Sequence, residues 1–63
     1  MKVKEVLKIL EDDGWYIARI RGSHRILKHQ IKSGIVVLAG KLSKDLAEGS
    51  RKSIFSQAQL EDK

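Results

Sequence analysis

Helical periodicity at both ends of the sequence, with β-type residues between, constrains the fold of this chain more than any other feature. The apolar positions that follow the i, i+3, i+4, i+7 spacing of one helix face are Val3, Val6, Leu7 and Leu10. Gly14 suits the left-handed position just past the end of this helix. A second helix is predicted over residues 51–59, with Ser50 as its N-cap. Its inward-facing residues are expected to be Ile54, Phe55 and Ala58. Each helix has one apolar stripe, so each must cover another surface.

Three segments rich in aromatic and β-branched residues lie between the helices. They span residues 15–20, 24–29 and 35–39, and short links join them. Three strands with short links predict an antiparallel meander. The segment 35–39 contains only apolar residues, so we expect a strand buried on much of both faces. The two helices should cover one face of the sheet, giving a single α+β domain over residues 1–63 with a tail at 61–63.

The composition limits how this fold is held together. The 63 residues include no cysteine and two histidines, so a disulfide and a thiolate metal site are excluded, and no metal or cofactor is predicted. The N-terminus lacks the uninterrupted apolar segment of a signal peptide. The longest apolar run is far too short to span a bilayer. We therefore expect a cytoplasmic protein that does not associate with a membrane.

The charge is strongly basic and unevenly distributed. Thirteen Lys and Arg residues against eight Asp and Glu residues give a net charge of +5. The central cluster of cations consists of Arg19, Arg21, Arg25, Lys28 and Lys32. A concentrated basic patch favours a polyanionic partner, with nucleic acid as the first candidate.

The candidate reactive segment is Arg21-Gly22-Ser23-His24-Arg25. The ordinary pKa of histidine, about 6.5, lets the His24 imidazole take or give a proton near neutral pH. Arg21 and Arg25 would bind phosphate through planar guanidinium groups. Gly22 permits unusual backbone angles and leaves room for a ligand, and Ser23 could orient a phosphate. This combination suggests chemistry on a phosphodiester. The alternative is that these are ordinary solvated surface residues.

Several short motifs extend this pattern over nearly the whole chain. They are Asp13-Gly14-Trp15, Arg21-Gly22-Ser23-His24, His29, Gly40, Lys44-Asp45-Leu46, Gly49-Ser50, Ser53-Ile54 and Gln57-Ala58. In these motifs and in its order of elements the chain resembles the HicA toxin family of bacterial toxin–antitoxin systems, also called YcfA-like proteins. The resemblance implies a fold like the double-stranded-RNA-binding domain, with two helices on one face of the sheet. It also implies a ribonuclease that cleaves messenger RNA and is silenced by a HicB antitoxin, with His24 at the position of the single catalytic histidine.

Three hypotheses about function remain open at this point. The first is a slow, metal-independent endoribonuclease, in which His24 acts as base or acid and Arg21, Arg25, Lys28 or Lys41 stabilises the phosphorane-like charge. The second is a non-catalytic RNA-binding module of the same fold. The third is a domain that serves chiefly as a protein partner, since a small basic surface suits an acidic antitoxin. The resemblance implies that this antitoxin buries the active face. We expect a monomer when the protein is alone and a hetero-oligomer with the antitoxin.

Other aromatic and polar residues carry weaker signals. Strand alternation places His29 on the face opposite His24, so a structural hydrogen bond or solvent exposure is expected for it. Trp15 is expected in the core, whereas Tyr16 could stack on a base. The amides around Gly49-Ser50 could hold a phosphate at a helix N-terminus, although capping alone explains Ser50 equally well.

Overall fold

The computed structural model describes residues 1–60, and its elements follow the predicted order of helix, three strands and helix. They are α1 (Val3–Asp12), β1 (Tyr16–Arg21), β2 (His24–Lys28), β3 (Val36–Ala39) and α2 (Glu48–Gln57). The α+β class and the α-β-β-β-α order are therefore confirmed. The tail predicted at residues 61–63 lies outside the described residues.

The three strands form one antiparallel sheet with the order β1-β2-β3. A two-residue loop, Gly22 and Ser23, joins β1 to β2. The φ angle of Gly22 is +58°, whereas that of Ser23 is not positive. A positive φ at the first loop residue alone is the signature of a type II′ turn, whose twist matches that of the flanking strands. The glycine therefore sets the hairpin that places His24 at the start of β2.

Both helices pack on one face of the sheet and enclose a single apolar core. The buried core residues are Val3, Val6, Leu10, Trp15, Leu27, Val36, Leu38, Ile54, Phe55 and Ala58. The predicted stripes of both helices supply more than half of this core, which confirms them. Within the described residues, nothing covers the opposite side of the sheet, which we call the open face. Its members are Tyr16, Arg19, Arg21, His24, Ile26, Lys28, Val37 and Ala39.

Strand β3 is not buried on both faces, so that expectation was wrong. Val36 and Leu38 are fully buried beneath the helices, but Val37 is 39% exposed and Ile35, just before the strand, is 50% exposed. The physical reason is the layer arrangement: a sheet covered on one face leaves alternate side chains of each strand in solvent, whatever their polarity.

Helix α2 begins earlier than predicted, and Ser50 is not its N-cap. The cap is Ala47, whose carbonyl accepts the first helical hydrogen bond from the Arg51 amide at 3.0 Å. Glu48 opens the helix, where a carboxylate is favourable near the positive end of the helix dipole. Its Oε1 also lies 3.7 Å from Arg51 Nη2 and 3.8 Å from Lys52 Nζ. Neither helix within residues 1–60 has the length and apolarity needed to cross a bilayer.

Lys32 forms hydrogen bonds at the C-terminal ends of both helices. Its Nζ donates to Asp13 Oδ2 at 2.6 Å and to the carbonyls of Ala58 and Gln59 at 3.3 and 3.2 Å. Asp13 and Ala58 are the C-caps of α1 and α2, so one cation offsets the negative ends of both helix dipoles. The hydrogen bond from Lys32 lowers the pKa of Asp13 below its usual 3.8, against a weaker opposing effect of burial.

Candidate functional site

His24 lies at one end of the open face, where it is accessible to solvent. It is the first residue of β2 and pairs with Arg21 on β1 and Ala39 on β3. Directly paired residues of antiparallel strands project their side chains to the same side, with Cβ atoms about 5 Å apart. Both His24 and Arg21 are exposed, and within residues 1–60 no hydrogen bond or ion pair engages either side chain. An imidazole and a guanidinium are thus neighbours with free polar atoms.

The hairpin loop keeps the approach to His24 open. A Cβ built at Gly22 would meet no atom within 4 Å. Ser23 is exposed, and its carbonyl accepts a hydrogen bond from the Gly40 amide at 3.2 Å. This bond draws the segment after β3 toward the loop. Lys41, the next residue, is exposed as well, so it lies at the same end of the sheet as His24.

Arg25 is separated from His24 by the sheet itself. It pairs with Ile20 and with the buried Leu38, and its side chain projects toward the helices. The partly buried Arg25 Nη1 donates to the Gly40 carbonyl at 2.7 Å. Arg25 therefore anchors the backbone just before Lys41, whereas its neighbour in sequence faces solvent.

Lys28 shares the open face with His24 but lies at its other end. The two residues are four positions apart on β2, which corresponds to about 13 Å along a strand. Lys28 is exposed and pairs with Tyr16 on β1. The Lys28 side chain is therefore too far away to contact a phosphate held beside His24. It is suited to a different phosphate of the same nucleic-acid strand.

His29 has a structural hydrogen-bond role, which is one of the two alternatives expected for it, the other being solvent exposure. Its Nδ1 accepts from the amides of Ile31 and Lys32 at 3.0 and 3.1 Å, so the proton resides on Nε2. That Nε2 donates to the Asp13 carbonyl at 2.7 Å. The ring also packs edge-on against Trp15, with centroids 5.2 Å apart. Both nitrogens are engaged on the helix side of the sheet, so His29 is not positioned to assist His24.

A β-bulge in β1 puts Tyr16 and Arg19 on the same face of the sheet, an arrangement that sequence reasoning did not predict. The register of β1 shifts between Ile17 and Arg19, so that Arg19 pairs with Ile26 while Tyr16 pairs with Lys28. In a regular strand, Tyr16 and Arg19 would project to opposite sides, because they are three positions apart, but Ala18 is the extra residue of the bulge and brings both to the same side. No single-residue signal in the sequence marks this bulge.

The charge of the open face has one sign. None of the strand residues is Asp or Glu, whereas Arg19, Arg21 and Lys28 all belong to this face. Over the described part of the chain, no three His, Asp or Glu side chains form a cluster that could hold a metal ion. The arrangement is a solvent-accessible imidazole within a cationic surface, which is chemically suited to a phosphodiester.

Comparison with known proteins adds one match. Residues 3–60 match the family model described as the HicA toxin of bacterial toxin–antitoxin systems. A comparison with curated protein sequences finds no match. The matched range contains both helices, all three strands and every candidate site residue named above.

Proposed function

Because the chain belongs to the HicA toxin family of bacterial toxin–antitoxin systems, we propose that it cleaves messenger RNA with His24 as its catalytic residue. The observation that carries this proposal is the exposed His24 ring beside Arg21, on a sheet face whose strands contain no carboxylate. Proton transfer and phosphate binding then occur at neighbouring positions.

The reaction uses the nucleophile that RNA itself carries. The 2′-oxygen attacks the adjacent phosphorus as its proton is removed, and the bond between phosphorus and the 5′-oxygen breaks as that oxygen is protonated. The products are a 2′,3′-cyclic phosphate and a 5′-hydroxyl end. His24 takes the first proton or supplies the second, and water serves the other oxygen. No metal-bound water is required as the nucleophile.

The cations near His24 have distinct roles in this proposal. Arg21 binds the attacked phosphate and stabilises the charge that develops on its oxygens. Lys41 approaches the same phosphate from the segment after β3. Gly22 and Ser23 form the open turn past which the RNA strand reaches His24. Arg25 acts as a positioning residue, since its hydrogen bond to the Gly40 carbonyl holds the backbone that leads to Lys41.

The test compares purified wild type with His24→Ala on a labelled single-stranded RNA. We expect His24→Ala to lower the cleavage rate by about 10²–10⁴-fold while RNA binding is retained. Ile31→Ala is the control, because Ile31 is 90% exposed and lies outside the strands. The products of the wild type should carry cyclic phosphate ends, DNA of the same sequence should stay intact, and EDTA should not inhibit. Equal cleavage by wild type and His24→Ala would contradict the proposal.

A non-catalytic RNA-binding module is the second candidate, favoured by the same acid-free cationic face. The two candidate functions predict different effects on cell growth. Under the nuclease proposal, induced wild type arrests growth and His24→Ala does not. Under the binding proposal, the two proteins have the same effect. In either case the proposed protein partner is a HicB-type antitoxin that covers the His24 end of the open face.

A further inference from the structure

A groove lies on the open face, on the part of the sheet away from His24. Its volume is about 300 Å³, and its lining residues are Ala18, Arg19, Ile26, Lys28 and Ile35. Three of the lining residues, Ala18, Ile26 and Ile35, are apolar, and the other two, Arg19 and Lys28, are cations. Tyr16 does not line the groove, but it pairs across the strands with Lys28, which does, and it is 47% exposed.

The chemistry of the groove fits a nucleobase better than a peptide side chain. A base needs an apolar surface for its ring and cations for the phosphates on either side of it, and the residues that line the groove include both. An apolar side chain would contact the apolar lining residues but would have no need for Arg19 and Lys28. Within the described residues, neither cation has an ion-pair partner to neutralise it.

We propose that this groove is a base-binding subsite for a single RNA strand, in which Tyr16 stacks on an unpaired base and Arg19 and Lys28 bind flanking phosphates. The subsite rests on the proposed RNA cleavage, because it positions the strand whose scissile phosphate lies at His24. His24 and Lys28 are about 13 Å apart along β2. An extended RNA strand spans this distance in a few nucleotides.

The test measures RNA binding by a variant that does not cleave RNA. Fluorescence anisotropy of a labelled, mixed-sequence single-stranded RNA gives Kd in the His24→Ala background, where cleavage does not interfere. Adding Tyr16→Ala should raise Kd by about tenfold, the usual effect of losing one stacked base. Tyr16→Phe keeps the ring and should bind like the background protein. Ile31→Ala, an exposed apolar residue outside the strands, should also leave Kd unchanged.

A second pair of variants tests the cations. Lys28→Ala should weaken binding and reduce the salt dependence of log Kd by about one unit of slope, since one phosphate contact is lost. Lys8→Ala removes the same charge from an exposed position of α1, on the other side of the molecule, and should have little effect. Equal losses for Lys8→Ala and Lys28→Ala would overturn the proposed path across the open face.

The outcomes separate this subsite from the proposed nuclease. If wild type cleaves RNA but Tyr16→Ala binds as tightly as its background, the subsite is wrong and the nuclease proposal stands. If wild type does not cleave but Tyr16→Ala still weakens binding, the subsite stands and the nuclease proposal is wrong. If Tyr16→Ala weakens only the antitoxin complex, the groove is a protein contact and the base-binding proposal is overturned.

Discussion

His24 and Arg25 are consecutive in the sequence, yet their side chains leave opposite faces of the sheet. His24 is exposed beside Arg21, whereas Arg25 Nη1 donates to the Gly40 carbonyl at 2.7 Å on the helix side. The two arginines that flank the Gly-Ser-His triplet therefore have separable roles. One is free to contact a phosphate, and the other is engaged with the backbone.

This separation predicts different defects for two alanine variants. Arg21→Ala should lower the rate of RNA cleavage by about tenfold or more, with little change in the free energy of unfolding, because no hydrogen bond or ion pair engages its side chain within residues 1–60. Arg25→Ala should lower the free energy of unfolding by about 1.5–3 kcal/mol, the usual range for a hydrogen bond from a charged group. Urea denaturation and single-turnover cleavage distinguish them. A large loss of stability in Arg21→Ala, or none in Arg25→Ala, would contradict this assignment.

The sequence was sufficient to predict the order of elements because both helices have clear periodicity and each strand is bounded by turn residues. The helix stripes reappear as buried Val3, Val6 and Leu10 in α1 and Ile54 and Phe55 in α2. The position of His24 at the start of a strand followed from the glycine and serine before it, and its separation from His29 followed from alternation.

Tertiary contacts decided what the sequence did not reveal. The bulge at Ala18 changes the side to which Tyr16 projects, and it is visible only in the pairing with β2. The role of Asp13 depends on Lys32, nineteen residues later, which joins the two helix ends. The start of α2 was misplaced because Ser50 is a good capping residue in isolation, whereas the observed cap, Ala47, makes no side-chain hydrogen bond.

The proposed overlap between the RNA site and the antitoxin contact predicts that one charge reversal affects both. Arg21→Glu should weaken binding of an acidic HicB-type antitoxin by about tenfold or more, because it places like charges together at the interface. Lys8→Glu makes the same charge change on the exposed side of α1 and is the matched control. Isothermal titration calorimetry with the purified antitoxin gives both Kd values. Equal affinity for Arg21→Glu and wild type would show that the antitoxin binds elsewhere.

The ion pair of Asp13 and Lys32 predicts a loss of stability in acid. The pKa of Asp13 is lowered in the folded protein, chiefly by the hydrogen bond from Lys32. The stabilisation is therefore fully present above the unfolded value of about 3.8 and is lost as the pH falls through the lower folded pKa. Asp13→Asn should cost about 0.5–1 kcal/mol at pH 7, since both side chains are partly exposed, and this difference from wild type should shrink below pH 4.

Urea denaturation of wild type and Asp13→Asn across this range measures the difference. Asp12→Asn is the control, because Asp12 is exposed and has no ion-pair partner among residues 1–60. A difference between wild type and Asp13→Asn that stays constant from pH 7 to pH 3 would show that the carboxylate contributes no ion pair.

Two glycine-to-alanine substitutions should change stability in opposite directions. Gly14 has a φ of +105°, and a Cβ there would lie 2.7 Å from His29 Nε2, the atom that donates to the Asp13 carbonyl. Gly14→Ala combines backbone strain with displacement of this ring and should cost about 2–4 kcal/mol. Gly49 lies in α2 with no atom within 4 Å of its Cβ position, so Gly49→Ala should add up to about 1 kcal/mol through helix propensity. The fluorescence of the buried Trp15 reports unfolding in both variants, and a Gly14→Ala protein as stable as wild type would show that the Gly14–His29 approach is not tightly constrained.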